Sequence, residues 1–382
     1  MYLISTIIAK TIFFISNLLN IGSGYTWPGH AVLKIYPNIL KDVSCKLTAK
    51  TIFVTGTNGK TTTSKLIAHI LRSQGYRVLH NDTGANLQNG FISTVLLNST
   101  LWGKLNYDFA VIELDEFTLP KVLESISPDI LLLLNISRDQ LDRHWELDII
   151  YDKWKQALEE MKERPILVLD SEQPEFSELS DSYLGKFYFF NKDKSMISKT
   201  KLIGSFNAKN VNSAVLTCEH LGLKKEDIIK SLKTFEFAYG RGEQIAYKNK
   251  NFRVFLAKNP ESLNQNLSML NEYKLDYDTL LYVLNDNVPD GHDVSWIFDV
   301  HAGLLNISSR KRNIYVSGTR AYDMSIRLKY AGINVLEENV SESLEHIIRK
   351  VSANSHCNDI VVLPNYSAML EFRKIVLGKS IL

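Results

Sequence analysis

The stretch Thr51-Ile-Phe-Val-Thr-Gly-Thr-Asn-Gly-Lys-Thr-Thr-Thr63 constrains this chain more than any other. An apolar run from Thr51 to Val54 breaks at Gly56, and from Lys60 onward Leu66, Ile67, Ile70 and Leu71 recur at helical spacing. A strand, a glycine turn and a helix in that order direct backbone N–H groups at one point, which suits an anion. Lys60 would then reach the β- and γ-phosphates of a nucleotide, and Thr61 would offer its hydroxyl to Mg2+. ATP and Mg2+ are the expected ligands, cradled by Gly56, Thr57, Asn58, Gly59, Lys60, Thr61 and Thr62. The full G-x-x-x-x-G-K-[ST] pattern needs glycine where this chain has Val54, so only the shortened Gly-Thr-Asn-Gly-Lys-Thr remains.

A chain of 382 residues has room for two or three domains with sizeable cores. With 45% hydrophobic and 23% charged residues it reads as a globular protein, and its net charge of +2 is spread without long blocks. That distribution argues against nucleic acid as a main partner. Cys45, Cys218 and Cys357 are too far apart for a disulfide framework or a Cys-x-x-Cys metal knuckle. All three are expected to be small buried side chains, which fits a reducing cytoplasm.

Residues 1–20 are apolar, but Lys10, Ser5, Ser16, Asn17 and Asn20 interrupt them. No run therefore reaches the roughly 18 to 20 apolar residues of a spanning helix. A signal peptide would carry its charge before the apolar core, and here Lys10 lies inside it. Ile4, Ile7, Ile8, Ile12 and Ile15 share one helical face, which leaves two readings: packing on the body of the protein, or lying against the membrane surface.

Gly22 to Gly29 reads as a loop by its glycine and proline content, and His30 to Ile39 as a short helix or extended linker. Tyr76–His80, Phe109–Leu114 and Asp129–Asn135 are further strands. Continuous apolar runs separated by helices indicate a parallel sheet covered on both faces, with ligands beyond the carboxyl ends of its strands. Glu113, Asp115 and Glu116 follow one such strand, and Glu113 is the candidate Mg2+ partner of Thr61. Asn135-Ile-Ser-Arg-Asp-Gln-Leu-Asp-Arg-His144 follows another as a dense polar cluster.

The shortened loop, the strand-end Asn135 and the Asp139-Gln140-Leu141-Asp142-Arg143-His144 segment resemble the Mur ligase family, ATP-dependent enzymes that join amines or amino acids to carboxylates. Gln140 stands where those ligases carry a metal-binding histidine, which departs from the family pattern. The Arg-Asp-Gln-Leu-Asp-Arg string, the early Gly-x-x-x-Pro-Gly loop and Thr83-Gly-Ala-Asn86 are similar to the MurT-type branch. In that branch the last of these lies near the ATP and acceptor sites. MurT-type proteins commonly insert a four-cysteine zinc ribbon after the strand matching Ile166–Leu169. Residues 170–201 hold no cysteine here and read as a shorter polar segment with Tyr188, Phe189 and Phe190, so no zinc site is expected. Ser205 to Ala214 resembles the family's G-x-x-N-x-x-N-x-x-A helix start, which implies that Asn207 faces the adenine and ribose. Phe237-Ala-Tyr-Gly-Arg-Gly-Glu243 is the hinge candidate, and Arg241 resembles the linker arginine that reaches ATP phosphates.

The last part of the chain alternates again, with strands at Phe252–Leu256, Thr279–Leu284, Asn313–Ser317, Asn334–Leu336 and Asp359–Leu363. Ala257–Pro260, Asn285–Ile297 and Ser317–Met324 match MurT-type C-terminal strings. The expected fold is α/β: a Mur ligase-like P-loop central domain with a mainly parallel sheet over 46–236, and a smaller Rossmann-like α/β C-terminal domain over 237–382. Residues 1–45 form an N-terminal helix and loop segment.

The resemblance implies an ATP-dependent synthetase subunit that amidates the α-carboxylate of D-glutamate in the lipid II stem peptide through an acyl phosphate. No Cys–His glutaminase constellation is evident, so ammonia would come from a GatD-like glutaminase in a heterodimer. An aspartate in the Asn285–Ile297 loop would orient that partner's histidine: Asp293 in first place, Asp290 in second. The expected catalytic set is Asp293, Asp290 and Lys60, in a cytoplasmic protein at the inner face of the plasma membrane. Two other readings are a Mur-type ligase adding an amino acid, and a non-catalytic ATP-binding scaffold for a glutaminase.

Overall fold

The structure is a computed structural model that describes every residue except 19–24, 83, 138–145, 237–239 and 379–382, with backbone only at 146 and 147. Helices α1 (Tyr2–Leu18), α2 (Trp27–Ile35) and α3 (Ile39–Lys46) precede the first strand. Then β1 (Lys50–Thr55), α4 (Lys60–Ser73), β2 (Val78–His80), α5 (Gln88–Asn98), β3 (Phe109–Glu113), α6 (Thr118–Leu123) and β4 (Ile130–Leu133) alternate. The pattern continues through α7 (Glu146–Glu160), β5 (Ile166–Asp170), α8 (Pro174–Ser182) and β6 (Phe187–Phe190), followed by α9 (Ser205–His220) and α10 (Lys225–Lys233). These strands form one parallel sheet of order β2-β3-β1-β4-β5-β6.

Because strand side chains point alternately to opposite faces, each apolar run feeds two cores. Phe53, Ile112, Leu131 and Leu133 pack with Phe91 of α5 and Trp154 of α7, whereas Ile52, Val54, Val111 and Leu132 pack with Leu66 and Ile70 of α4 and Val211 of α9. Burying each large apolar side chain contributes about 1.5–3 kcal/mol. Helices α1 to α3 join the first of these cores through Tyr2, Ala9, Val32, Ile39 and Val43.

A second sheet follows, built from β7 (Arg241–Tyr247), β8 (Lys250–Phe255), α11 (Pro260–Glu272), β9 (Thr279–Val283), α12 (Ala302–Ser309) and β10 (Asn313–Ser317). Helix α13 (Ala321–Tyr330), β11 (Val340–Ser341), α14 (Leu344–Ala353), β12 (Asp359–Pro364) and α15 (Tyr366–Leu377) complete it. Its order is β11-β10-β9-β12-β8-β7, parallel except for the antiparallel β7–β8 hairpin at one edge. The two α/β units expected from the alternation are present.

Several local expectations fail. Trp27, Pro28 and Gly29 are helical, not loop, because proline suits a first helical turn. A side chain at Gly29 would meet Asn89 O at 1.9 Å, so glycine lets α2 approach α5. The linker alternative for residues 30–39 is replaced by two helices. Residues 170–201 contain α8 and β6, an edge strand whose Phe187, Tyr188 and Phe189 are partly exposed. The Gly-Arg-Gly segment is a turn only at Gly240: Arg241 starts β7, with a bulge between Arg241 and Glu243. Asn334–Leu336 is not a strand, and the short strand in that region is β11. Cys45 is exposed, and only Cys218 and Cys357 are buried. The isoleucine face of α1 is split: Ile8 packs on the core and Ile12 is half-buried, but Ile4, Ile7 and Ile15 are exposed, and the side buried most is Tyr2, Ser5, Thr6, Ala9 and Ser16. The expectations on residues 22–24, on Thr83, on Asp139–His144 with Gln140, and on 237–239 lie outside the described residues.

Candidate functional site

Strand β1 sits inside its sheet between β3 and β4, and the connections after β1 and β4 run to opposite sides of the sheet. A crevice opens where such connections diverge. The loop Gly56–Gly59 occupies it, and Asn135, after β4, binds it from the other side. Asn135 Oδ1 accepts from Asn58 N at 2.9 Å, Asn135 Nδ2 donates to Asn58 O at 2.8 Å, and Asn135 O accepts from Thr57 N at 3.0 Å. Gly56 has φ of +133° and Gly59 +90°, conformations that L side chains rarely adopt. At Gly59 a Cβ would also lie 2.3 Å from Asn210 Oδ1.

Lys60 opens α4 yet is buried. Its ammonium donates to Gly56 O, to Thr57 O at 3.3 Å and to Glu116 Oε2 at 3.0 Å. Glu116 belongs to the acidic cluster after β3, and its backbone carbonyl accepts from the indole of buried Trp154 at 2.9 Å. The lysine is therefore folded into the loop, with a carboxylate and loop carbonyls around its charge.

Register places Glu113 at the end of β3 beside Val54, just before the loop. Its backbone exchanges two hydrogen bonds with the Asn81 side chain, and Asn86 Nδ2 donates to Glu113 Oε1 at 3.2 Å. The other oxygen, Oε2, is buried with no hydrogen-bond partner among the described residues. A buried carboxylate oxygen left unmatched is costly, and a cation is one way to satisfy it. Lys65, half-buried in the second turn of α4, and Arg241 contribute positive charge nearby. Burial pulls both groups below their ordinary pKa, and the Glu113 charge pulls each back up. Burial likewise holds His80 below its ordinary value, with its Nδ1 at 2.7 Å from Val111 O.

Two further expected residues come together. Asn207 and Arg241 line one cavity of about 190 Å3 with Ile203, Gln244 and Phe255. Asn207 Nδ2 donates to Ile203 O at 2.7 Å and its Oδ1 accepts from Asn210 at 3.2 Å. Through Asn210 the helix start is thus coupled to Gly59. A second cleft of about 110 Å3 runs along Asn58, Gly59, Asn135, Lys209 and Asn210. Thr61 and Thr62 lie in the first turn of α4, Thr62 buried and Thr61 partly exposed.

Asn259 reaches this site from the second unit. It caps α11 by accepting from Ser262 N at 2.8 Å, and its Nδ2 donates to Asn58 Oδ1 at 3.4 Å. Sequence reading singled out neither Asn210 nor Asn259 as site residues, although both stand in strings it recognised. Lys65 left no local signal beyond being a helix lysine.

The loop after β9 forms a separate cluster. The Asn365 side chain binds the Asn285 backbone on both sides, its Oδ1 accepting from Asn285 N at 3.1 Å and its Nδ2 donating to Asn285 O at 2.6 Å. Asp286 accepts from Thr319 Oγ1 at 2.7 Å and pairs with Arg320 at 3.4 Å. Asp290 is buried, accepting from Ser367 N at 3.0 Å and from the Ser367 hydroxyl at the start of α15. Burial raises its carboxyl above the ordinary range, against the hydrogen bonds from Ser367. Asp293 is half-exposed and accepts from Ser295 N at 2.8 Å. The structure thus brings Lys60, Glu113, Asn207 and Arg241 to the first sheet's crevice, and leaves Asp290 and Asp293 in this second cluster.

Residues 54–183 match the Mur ligase middle domain, and residues 256–369 match the MurT ligase C-terminal domain. The chain is 28% identical over 412 residues to the MurT subunit of lipid II isoglutaminyl synthase (glutamine-hydrolyzing) of Staphylococcus aureus strain COL, with 91% of each chain covered. It is 25% identical to the MurT subunit of Streptococcus pneumoniae strain ATCC BAA-255 / R6, over 95% of each chain. In fold it resembles the MurF ligase of Thermotoga maritima solved with ADP, with a TM-score of 0.68 at 16% identity, covering 90% of this chain and 82% of that one. With a Mur ligase middle domain around its phosphate loop, a MurT ligase C-terminal domain beyond it and relatives of that make-up along most of its length, the chain carries the domain make-up of the MurT-type Mur ligases.

Proposed function

We propose that the chain is the ATP-dependent synthetase subunit of a glutamine amidotransferase that converts D-glutamate in the lipid II stem peptide to D-isoglutamine. The observation that carries this reading is Lys60 buried inside a glycine loop at the switch point of a Mur ligase sheet, in a chain whose other half is similar to MurT subunits. The loop N–H groups would receive the ATP phosphates, and Lys60 would exchange its carbonyl contacts for phosphoryl oxygens. Arg241 would add charge from β7, and Asn207 would meet the nucleoside side of the same cavity. Glu113, with its unmatched Oε2, and the Thr61 hydroxyl would hold Mg2+, which supplies positive charge against the phosphates.

The α-carboxylate oxygen of D-glutamate attacks the γ-phosphorus, releasing ADP and leaving an acyl phosphate. Ammonia then adds to the acyl carbon, phosphate departs with the former carboxylate oxygen, and nitrogen sheds a proton to solvent. Ammonia comes from a GatD-like glutaminase in a heterodimer. Asp293, the more accessible of the two loop aspartates, would orient that partner's histidine, and Asp290 would shape the loop by capping α15. The same reading divides the chain into 1–45, 46–236 and 237–382, and places the reaction on the cytoplasmic side of the membrane, where ATP is supplied.

Trapping tests it. The chain is incubated with lipid II, ATP, Mg2+ and hydroxylamine, and hydroxamate is measured. Hydroxamate that requires both ATP and Lys60 is expected. Its absence from the wild-type chain, while a partner complex still amidates lipid II, would make the chain a scaffold instead.

A further inference from the structure

Helix α1 is turned the opposite way from an ordinary surface helix. Its inward side carries Ser5, Thr6, Ala9 and Ser16, with the Tyr2 hydroxyl at 2.7 Å from Ser99 Oγ of the turn after α5. Its outward side carries Leu3, Ile4, Ile7, Phe14, Ile15 and Leu18, with Phe14 67% and Leu18 72% exposed. At 100° per residue these six fall within a single broad stripe, interrupted only by Thr11. The helix thus gives mainly small side chains to the protein, with Tyr2 and the half-buried Ile8, and a stripe of large apolar ones to the outside. Isolated apolar residues at a surface are ordinary, but a contiguous face of them marks an interaction site.

The surroundings indicate what covers that face. Trp27 and Ile35 are exposed on α2, which packs against α1, and Trp102 is 80% exposed in the turn after α5, next to the Gly103 that Tyr2 abuts. Tryptophan is the side chain enriched at the junction of lipid and water. Charge is the second argument. Of 382 residues 42 are acidic, yet none occurs in residues 1–41 or 87–107, the stretches that form α1, α2, α5 and the Trp102 turn. Those stretches hold Lys10, Lys34, Lys41 and Lys104, the last three exposed. A protein partner of mixed charge gives no reason for such one-sidedness, whereas an anionic bilayer does. No described helix is long and apolar enough to cross a membrane, so the face would lie on the surface.

We infer that α1, flanked by Trp27 and Trp102, is an interfacial anchor that docks the chain on an anionic lipid surface through the outward Ile7–Phe14 face. The inference stands apart from the nucleotide reading, since none of these side chains belongs to the phosphate site. Its test is co-sedimentation of the full-length chain with vesicles of phosphatidylglycerol and phosphatidylcholine in equal parts. Wild type is expected to bind, more weakly on phosphatidylcholine alone and more weakly as salt is raised. Ile7→Glu/Phe14→Glu is expected to lower vesicle affinity at least about tenfold, because each carboxylate opposes both apolar burial and the anionic surface. Lys34→Glu/Lys104→Glu is expected to lose the preference for the anionic vesicles. A melting temperature unchanged in each variant shows that the fold is intact. No vesicle binding by wild type, or equal binding by Ile7→Glu/Phe14→Glu, overturns the inference. So does a wild-type dimer in sedimentation velocity that Ile7→Glu/Phe14→Glu converts to monomer, because the face would then belong to a second copy.

Discussion

Lys60 Nζ and Glu116 Oε2 form an ion pair 3.0 Å apart, with both side chains 8% exposed, inside the loop that would receive phosphate. Removing one partner takes the countercharge from a buried group. Glu116→Ala is expected to destabilise the chain by about 3–5 kcal/mol, as for other buried pairs broken from one side. Lys60→Met/Glu116→Leu should be far less destabilised than Glu116→Ala, though unable to catalyse. Urea unfolding of the variants measures both, and additive losses in the double variant would contradict the coupling.

Gly59 is held by two constraints of different origin. Its φ of +90° penalises any side chain, and Asn210 Oδ1 occupies the place of a Cβ. Gly59→Ala should cost about 1–3 kcal/mol from backbone strain alone, more with the clash, and lose nucleotide binding. Adding Asn210→Ala relieves the clash and not the φ, so it should restore only part of the stability. Full restoration in thermal melts would show that φ is not limiting.

Asn259 ties the two units together at one point, capping α11 while donating to Asn58 Oδ1 across the chain at 3.4 Å. Asn259→Ala should lose about 0.5–2 kcal/mol of stability as a cap. It should also raise KM for ATP more than Ser262→Ala does, because only Asn259 touches the loop. Equal KM values for the two variants would leave Asn259 a cap and nothing more.

Asp290 and Asp293 separate by their burial. Burial raises the folded pKa of Asp290 above its ordinary 3.8, so the folded chain holds this proton longer than the unfolded one. Its stabilising contribution is complete below 3.8 and falls as pH rises through the raised folded value. The stability of wild type relative to Asp290→Asn should therefore decline across that window and level off above it. Asp293→Asn should impair glutamine-dependent amidation while sparing the ammonium-dependent reaction. A pH-independent difference for Asp290→Asn would contradict the burial effect.

Much of the frame was legible because the strands of a sheet covered on both faces are continuous apolar runs, as at Phe109–Glu113 and Ile130–Leu133. Edge strands obey no such rule. The β6 segment Phe-Tyr-Phe-Phe leaves its first three side chains partly open to solvent, and β7 reads Arg-Gly-Glu-Gln, so neither announced itself. The orientation of α1 was illegible for another reason: periodicity identifies an apolar face but not whether it turns inward, and only the packing of Tyr2 and Ala9 decides that. In the site, Glu113, Asn207 and Arg241 were marked by strand ends and recognised strings. The pairing of Lys60 with Glu116 spans 56 residues, and that of Asn58 with Asn259 spans 201, distances over which no local pattern speaks.

The central claim is that this chain itself makes the amide bond. Its most direct measurement is amide formation on lipid II by the isolated chain with ATP, Mg2+ and ammonium chloride, read by mass spectrometry of the stem peptide beside Lys60→Ala. The account predicts conversion of the D-glutamate α-carboxylate to the amide by wild type, matched by ADP release, and none by Lys60→Ala. Wild-type chain that binds ATP but forms no amide with ammonium, or Lys60→Ala that forms it equally, would contradict the account.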